Sequence, residues 1–315
     1  MTNLSIPVYE LSINVRIAWQ AHSLSNAGSN GTNRTMPRRQ LLANGVETDA
    51  GSGNIAKRYH AALLTEQMMS HNIHLCPACA SGDGRRASAR QVTDMASILL
   101  CGMCDTHGFL VTAKKGAEEN GDRQRLSKHS LVEFTMALAL PESAAESAQL
   151  FTRQAVRNEG ESGADNGQML FKKSVRSGEY AQCVRYKAAG IGVDTEIWQL
   201  VIADEQERRQ RHQAILSTLQ DQIQSPSGAM TATLLPHLTG MQGVVAVRTN
   251  VGRAPLHSPL APDFINQLEQ LATETCLIFP FYSLAEFHTI FQRLLRESFP
   301  VQPVKKQNPE TEVMS

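Results

Sequence analysis

The sequence predicts an α+β fold built on an antiparallel sheet and interrupted by long insertions. Three observations carry this expectation. Residues 11–19 and 130–140 alternate apolar and polar side chains with the period of a half-buried strand. Residues 205–224 place Ile215, Leu216 and Leu219 on one side of a helix. Two Cys-x2-Cys pairs occupy a stretch, 72–107, that reads as an insert between these elements.

Taken in order, Leu11, Ile13, Val15, Ile17 and Trp19 share one face of the first strand. A long polar loop is expected from Ser23 to Arg39, rich in Asn, Ser and Gly and ending in Arg34, Pro37, Arg38 and Arg39. Residues 55–71 read as a helix with Asn54 as its N-cap and Ala56, Tyr59, Leu63 and Met68 on its buried face. Within the insert, 82–90 reads as an exposed loop and about 90–99 as a short helix. A charged linker follows at 114–127. Leu131, Phe134, Met136 and Leu138 then line a second strand. Residues 157–168 are polar and aperiodic and read as a mobile loop. Residues 169–175 and 180–186 read as a hairpin around Arg176-Ser177-Gly178. Strands are expected at 244–247 and 276–279, and helices at 263–273 and 283–298. The tail from 300 to 315, with Pro300, Pro303 and Pro309, reads as disordered.

The chain has 315 residues, 42% of them apolar and 19% charged, which is enough to bury a core and excludes a wholly disordered chain. No run approaches the ~18 apolar residues of a membrane-spanning helix. No secretory signal opens the sequence, so a cytoplasmic protein without a membrane partner is expected. Thirty basic residues balance 30 acidic ones. Residues 1–190 hold 21 basic and 17 acidic side chains, leaving a net +4, and the remainder holds 9 and 13, a net −4. Such segregation can steer a polyanion. Aromatics are only 5%, which favours a nucleic-acid binder that grips the backbone over one that stacks on bases.

Cys76 and Cys79 form one pair, Cys101 and Cys104 the other, with 21 residues between Cys79 and Cys101. A two-residue spacer points both sulfurs of a pair into one turn, and two such turns can present four thiolates to one Zn2+. Four cysteines close the site, so the metal is read as structural. Disulfides are the alternative, disfavoured in a reducing compartment. His74 and His107 flank the pairs, and Cys183 and Cys276 read as core.

Gly51-Ser52-Gly53-Asn54 ahead of a helix can present backbone N–H groups to a phosphate, and Arg34, Arg38, Arg39, Lys57 and Arg58 lie near it. An ordinary turn beside a solvated basic face explains the same residues. No P-loop, GxGxxG, HExxH or GxSxG motif appears. His107 beside Asp105 resembles an acid/base pair, and Asp49, Asp94 and Asp105 do not cluster in sequence. No catalytic constellation is read here, and a non-enzymatic role is expected.

Several ordered motifs share one resemblance. They are Ser12-Ile-Asn-Val-Arg-Ile, Ala21-His-Ser-Leu-Ser-Asn, Gly31 with Arg38-Arg39, and Ser52-Gly-Asn with the helix holding Lys57. Further on come Cys104-Asp-Thr-His-Gly-Phe-Leu, Ser130-Leu-Val-Glu-Phe, Leu170-Phe-Lys-Lys-Ser-Val-Arg-Ser-Gly-Glu-Tyr and Leu235-Pro-His-Leu-Thr-Gly. Together they resemble the CRISPR-associated Cascade backbone subunit, the seventh Cas protein of type I systems in the RAMP superfamily, in its DevR-type branch. The cysteine insert departs from the commonest pattern of that family.

The resemblance implies a modified RRM/ferredoxin-like palm with a helical fingers insertion and a hairpin thumb. Residues 1–71 would open the palm, 72–113 would be zinc-binding fingers, and 114–299 would complete the palm with a thumb near 150–178. It implies copies polymerised along a crRNA, other Cascade subunits as partners, and target DNA met through the guide, in antiviral defence or RNA-guided transposition. It assigns RNA contacts to Asn26, Asn30, Arg34, Arg38, Arg39, Ser52, Asn54 and Lys57. The acidic second part could face the basic first part of the next copy, with residues 205–211 at that contact. Two other readings stand beside it: a zinc-ribbon DNA-binding regulator and a metal-dependent ribonuclease subunit.

Overall fold

The computed structural model describes residues 5–30, 34–87, 94–111, 126–154 and 168–302. Residues 114–125 of the expected linker, much of the expected loop at 157–168 and the tail beyond 302 fall outside these residues, while Leu126 and Ser127, the end of that linker, belong to a strand.

The chain begins with β1 (Ile6–Val8) and the 13-residue β2 (Glu10–His22). Polar residues then form β3 (Asn26–Asn30) and β4 (Arg34–Pro37), followed by β5 (Arg39–Leu41) and β6 (Glu47–Gly51). Helix α1 (Gly53–Ser70) leads into three short helices, α2 (Pro77–Ala80), α3 (Met95–Leu99) and α4 (Gly102–His107). Next come β7 (Phe109–Val111), β8 (Leu126–Lys128), β9 (Val132–Phe134), β10 (Ala137–Ala139), β11 (Ala145–Gln154) and the 19-residue β12 (Gln168–Tyr186). The small hairpin β13 (Val193–Asp194) and β14 (Gln199–Leu200) precedes α5 (Glu205–Gln224). The last elements are β15 (His237–Arg248), α6 (Phe264–Glu269), β16 (Cys276–Phe281), α7 (Leu284–Glu297) and β17 (Ser298–Pro300).

The main sheet runs β16-β15-β2-β12-β10-β6-β5, and every neighbouring pair along that path is antiparallel. This is the mixed α+β, antiparallel architecture the alternation predicts. β2 lies between β12 and β15, so both of its edges are paired. Leu11, Ile13, Val15 and Ile17 are at most 1% exposed and pack into one core with Leu64 of α1, Leu216 and Leu219 of α5, and Phe287 and Phe291 of α7.

The opposite face of β2 is also sealed, which the half-buried expectation did not include. Ser12 Oγ donates to Pro255 O at 2.6 Å. Asn14 Oδ1 accepts from His257 N at 3.1 Å, and Arg16 donates to Pro259 O at 2.6 and 3.0 Å. Glu10 accepts from Ala254 N at 3.0 Å. The segment 252–263 is thus strapped across the sheet by the polar residues of β2. Phe264 and Leu268 of α6 complete the layer against Val244.

Four expectations need correction. Within the expected loop, Asn26–Asn30 and Arg34–Pro37 pair as a β3–β4 ribbon, with Asn30 opposite Arg34 and Arg34 beside Lys172 of β12. A polar ribbon has no apolar alternation to reveal it. The expected hairpin about Arg176-Ser177-Gly178 is one continuous strand. Its register against β2 shifts between Arg176 and Gly178, and its true hairpin partner is β11, in register from Ala145↔Ser177 to Gln154↔Gln168. A glycine read as a turn is instead a bulge, a substitution that sequence alone does not separate. Residues 130–140 give two short strands, parted at Thr135, whose Oγ1 accepts from Cys183 N at 2.8 Å. The helix expected over 263–273 ends at Glu269.

Elsewhere the differences are of extent. α5 matches its expected span, while β15 and β16 run longer than expected. Over 205–211, the stretch expected at a contact between copies, the charged side chains divide between two environments. Arg208 and Arg211 are 2% and 0% exposed and bond within the chain, whereas Glu205, Gln206 and Arg209 stay exposed on the other side of the helix. No helix among the described residues is long and apolar enough to cross a membrane.

Candidate metal centre and nucleic-acid interface

The four paired cysteines converge as their spacing predicts. Cys76 is the N-cap of α2 with Pro77 in the first turn, and Cys101 is the N-cap of α4, which carries Cys104. All four Sγ atoms lie within 4.8 Å of one another. The Cys79–Cys104 and Cys76–Cys104 separations are 3.7 and 3.9 Å. A tetrahedral ion with metal–sulfur bonds of ~2.3 Å sets its sulfurs about 3.8 Å apart. A disulfide needs ~2.05 Å, and all six cysteines are free. Hydrogen bonds from Cys104 and Cys79 favour the Cys101 thiolate and push its pKa down. The donor set therefore fits a thiophilic divalent ion such as zinc.

The surrounding turns are tightly packed. Gly102 N donates to His74 O at 2.9 Å, and a Cβ on Gly102 would lie 2.8 Å from Met68 Sδ. Gly108 closes α4 with φ +73°, where a Cβ would meet Lys128 O at 2.3 Å. Only glycine allows that approach.

The acid/base pair that Asp105 and His107 resemble in the sequence does not form. Asp105 is fully buried and accepts from Lys128 Nζ, from Arg211 Nη1 at 2.9 Å, and from Gly192 N at 2.9 and 3.1 Å. His107 meets His60 ring to ring at 2.9 Å, and His60 meets Thr218 Oγ1 at 3.0 Å. Burial drives both imidazoles below their ordinary pKa, His60 to about 3. The second cysteine turn, α1 and α5 are locked together by these contacts.

The residues assigned to RNA contact fall in two places. Asn54 and Lys57 sit on the first turns of α1, in a groove of about 780 Å3 that Arg58 and Arg86 also line. Burial, and after it the charge of Arg86, lowers the Lys57 pKa. Asn54 is not the cap: Ser52 holds that position without a side-chain bond, and its N–H donates to Ser25 Oγ at 3.1 Å. Asn26 and Arg38 sit instead at the base of the β3–β4 ribbon. Asn26 Oδ1 accepts from Ser23 Oγ at 3.1 Å and from Arg176 Nη2 at 3.3 Å. Arg38 Nη2 lies 3.5 Å from Asn26 O. Arg39 turns away to an ion pair with Glu146. Asn30 and Arg34 are opposite each other in the ribbon, with side chains outside the described set.

Beneath Asn26 lies a buried network. Arg176, 1% exposed, donates to Asp49 Oδ1 at 3.1 Å, and Tyr180 donates to Asp49 Oδ2 at 2.7 Å. His22 and Trp19 pack on Tyr180 with ring centroids 5.0 and 5.1 Å away. Burial and the Arg176 charge hold His22 down to about 3, so it stays neutral. Sequence reasoning missed Arg176, His22 and Asp49. They stand far apart in the chain, and only the β2–β12 register sets His22 against Arg176.

A family model described as CRISPR-associated negative auto-regulator DevR/Csa2 matches residues 13–268. The chain belongs to that family. Two solved structures are also similar. One, "CRISPR RNA-guided surveillance complex", has 12% identity and a TM-score of 0.46, over 90% of this chain and 98% of that one. The other, "CRISPR RNA-guided surveillance complex, pre-nicking", has 12% identity and a TM-score of 0.43, over 84% and 90%. No curated protein matches. The span of the DevR/Csa2 match includes the ribbon, the cysteine turns, the β11–β12 hairpin and most of the sheet, so both candidate sites lie inside the family region.

Proposed function

We propose that this DevR/Csa2 chain is the guide-RNA-binding backbone subunit of a type I CRISPR Cascade complex. Copies of it line a crRNA and present the guide to target DNA, together with other Cascade subunits. Family membership over residues 13–268 carries this reading. The geometry supports it in three ways. The central strand order β15-β2-β12-β10, with α1 and α5 on one face, is the order of an RRM/ferredoxin-like palm. The cysteine turns would be fingers held by a structural zinc, which supplies a cross-link and no reaction. The β11–β12 hairpin would be the thumb.

A guide holder must leave base edges legible, so it should grip phosphate and 2′-OH groups. The polar ribbon and the arginines suit that task. Head-to-tail stacking is a heterologous contact and extends into open assemblies. The role is binding and assembly, with no reaction assigned to the chain. The test is coexpression with a CRISPR array and the companion subunits, followed by sizing of the copurified nucleic acid. A uniform RNA, protected at regular intervals, is the expected result. Protein that purifies free of RNA with its companions present would overturn the reading.

A second reading has one observation in its favour, the family's description as a negative auto-regulator. It predicts sequence-specific binding of duplex DNA without a guide. A nuclease reading finds less support: Asp49 and Asp105 are both engaged by buried arginines, and the cysteine group is the metal-ready cluster among the described residues.

A further inference from the structure

We infer that Lys173 is a positioning residue: held by Thr233 and by the rings of Phe151 and Phe171, it sets the direction of the β11–β12 hairpin and, through it, the grip on RNA. The inference rests on the guide-RNA reading, with the hairpin as thumb, and names what aims that hairpin.

The hairpin leaves the sheet at Arg176. β12 pairs with β2 from Tyr186↔Leu11 to Arg176↔His22, and there β2 ends. Beyond that point residues 168–175 pair with β11, and among the described residues one further bridge, Lys172↔Arg34, joins them to the ribbon. At the usual rise of a strand these residues span ~26 Å. A rotation of about 5° at the base therefore carries the far end ~2 Å. A two-stranded hairpin has no core of its own, so contacts with the rest of the chain must fix its angle.

Two neighbouring lysines on this strand face opposite ways, as successive strand residues do. Lys172 is exposed. Lys173 is 4% exposed, and its Nζ donates to Thr233 Oγ1 at 2.7 Å. The same Nζ lies 4.4 Å from the Phe151 ring centroid and 5.0 Å from that of Phe171. The two rings are a direct cross-strand pair, 6.1 Å apart and 21° from parallel. One ammonium thus touches both strands of the hairpin and the segment between α5 and β15. That segment is itself tied down. Ala229 N donates to Leu24 O at 2.8 Å, and a Cβ on Gly228 would lie 2.4 Å from the same oxygen. On the opposite face of the hairpin, Glu146 accepts from Ser174 Oγ at 2.6 Å and pairs with Arg39.

A lysine turned inward in this way neutralises no phosphate. It acts through the hairpin, which meets RNA already aimed, so little ordering is left for the moment of association. Arginine keeps the cation, the donors and the affinity for aromatic faces. Methionine keeps the stem and loses the rest.

The test uses the full chain, freed of nucleic acid, and a labelled 30-nucleotide single-stranded RNA. Anisotropy is read across a salt series, and hydrogen exchange is read at 168–175 and at β2. K173M should weaken binding ~5-fold, through loss of one hydrogen bond and the ring contacts, with the salt slope unchanged. Exchange at 168–175 should rise ~10-fold while β2 keeps its protection. K173R should bring both readouts back to within about 2-fold of wild type. T233V, at an exposed residue, should weaken binding ~2-fold. Should K173M fail to fold, T233V and K173R carry the test. If K173M and T233V match wild type in affinity and exchange, the inference is overturned. It is equally overturned if K173M lowers the salt slope by about 0.7, since Lys173 would then hold a phosphate itself. If wild type binds no RNA with its companions present, exchange decides. A rise in K173M that K173R reverses keeps the clip and drops its RNA role; no rise drops both.

Discussion

Two buried carboxylates invite comparison. Asp105, behind the cysteine turns, receives three donors, from Lys128, Arg211 and the Gly192 backbone. Among the described residues, Arg211 Nε and the nearby His107 Nδ1 lack a partner there. Asp49, beneath the polar ribbon, receives two donors, and four donors nearby remain without acceptors. The same chemistry thus gives a denser network in one place and a sparser one in the other. Polar groups that satisfy each other fix structure.

Metal removal should separate the two regions most sharply. A C101S variant should lose its bound metal by mass spectrometry, and structural zinc of this type is worth on the order of 10 kcal/mol. Hydrogen exchange should rise across the cysteine turns and α4 while the Asp49 network keeps its protection. Equal loosening at both places would break the contrast. Next in size, D105N leaves Lys128 and Arg211 buried without their counter-charge and should cost about 3–5 kcal/mol by urea unfolding. D49N should fall at or below the low end of that range, because Asn26 still accepts from Arg176. A larger cost for D49N would reverse the comparison.

Acid should weaken both regions by one mechanism. His22 at the ribbon, His60 behind the metal turns and His212 in the core are each held near 3 by burial, against an ordinary 6.5. Their unfolded forms take up protons below about 6.5 and their folded forms do not. Stability is therefore whole above pH 6.5 and declines toward pH 3 by up to ~1.4 kcal/mol per pH unit for each histidine. H22Q and H60Q should each remove one such share of the slope. A profile flat down to pH 4.5 would refute the burial argument. The smallest contrast concerns two helix starts. Asp204 caps α5 by accepting from Gln206 N at 2.8 Å, so D204A should cost about 1 kcal/mol. Ser52 makes no such bond at α1, so S52A should cost a few tenths at most.

Much of the scaffold was legible because it follows period. The alternation of β2 and the apolar side of α5 come straight from the residues, and Cys-x2-Cys spacing located the four convergent cysteines to the residue. The β3–β4 ribbon was not legible, since polar strands need no apolar alternation. Gly178 read as a turn because a bulge and a turn ask for the same residue. Of the contact residues, Asn26 and Arg38 meet, whereas Arg39 leaves for Glu146 and Lys57 lies across α1. Arg176 and His22 were invisible in sequence because strand register alone unites them.

The strap from 252 to 263 has a consequence for how any polynucleotide could lie. With helices on one side and the strap and α6 on the other, the central strands offer no flat floor on which bases could stack. A polynucleotide held as proposed would be left the margins of the sheet, along the ribbon and the opening turns of α1.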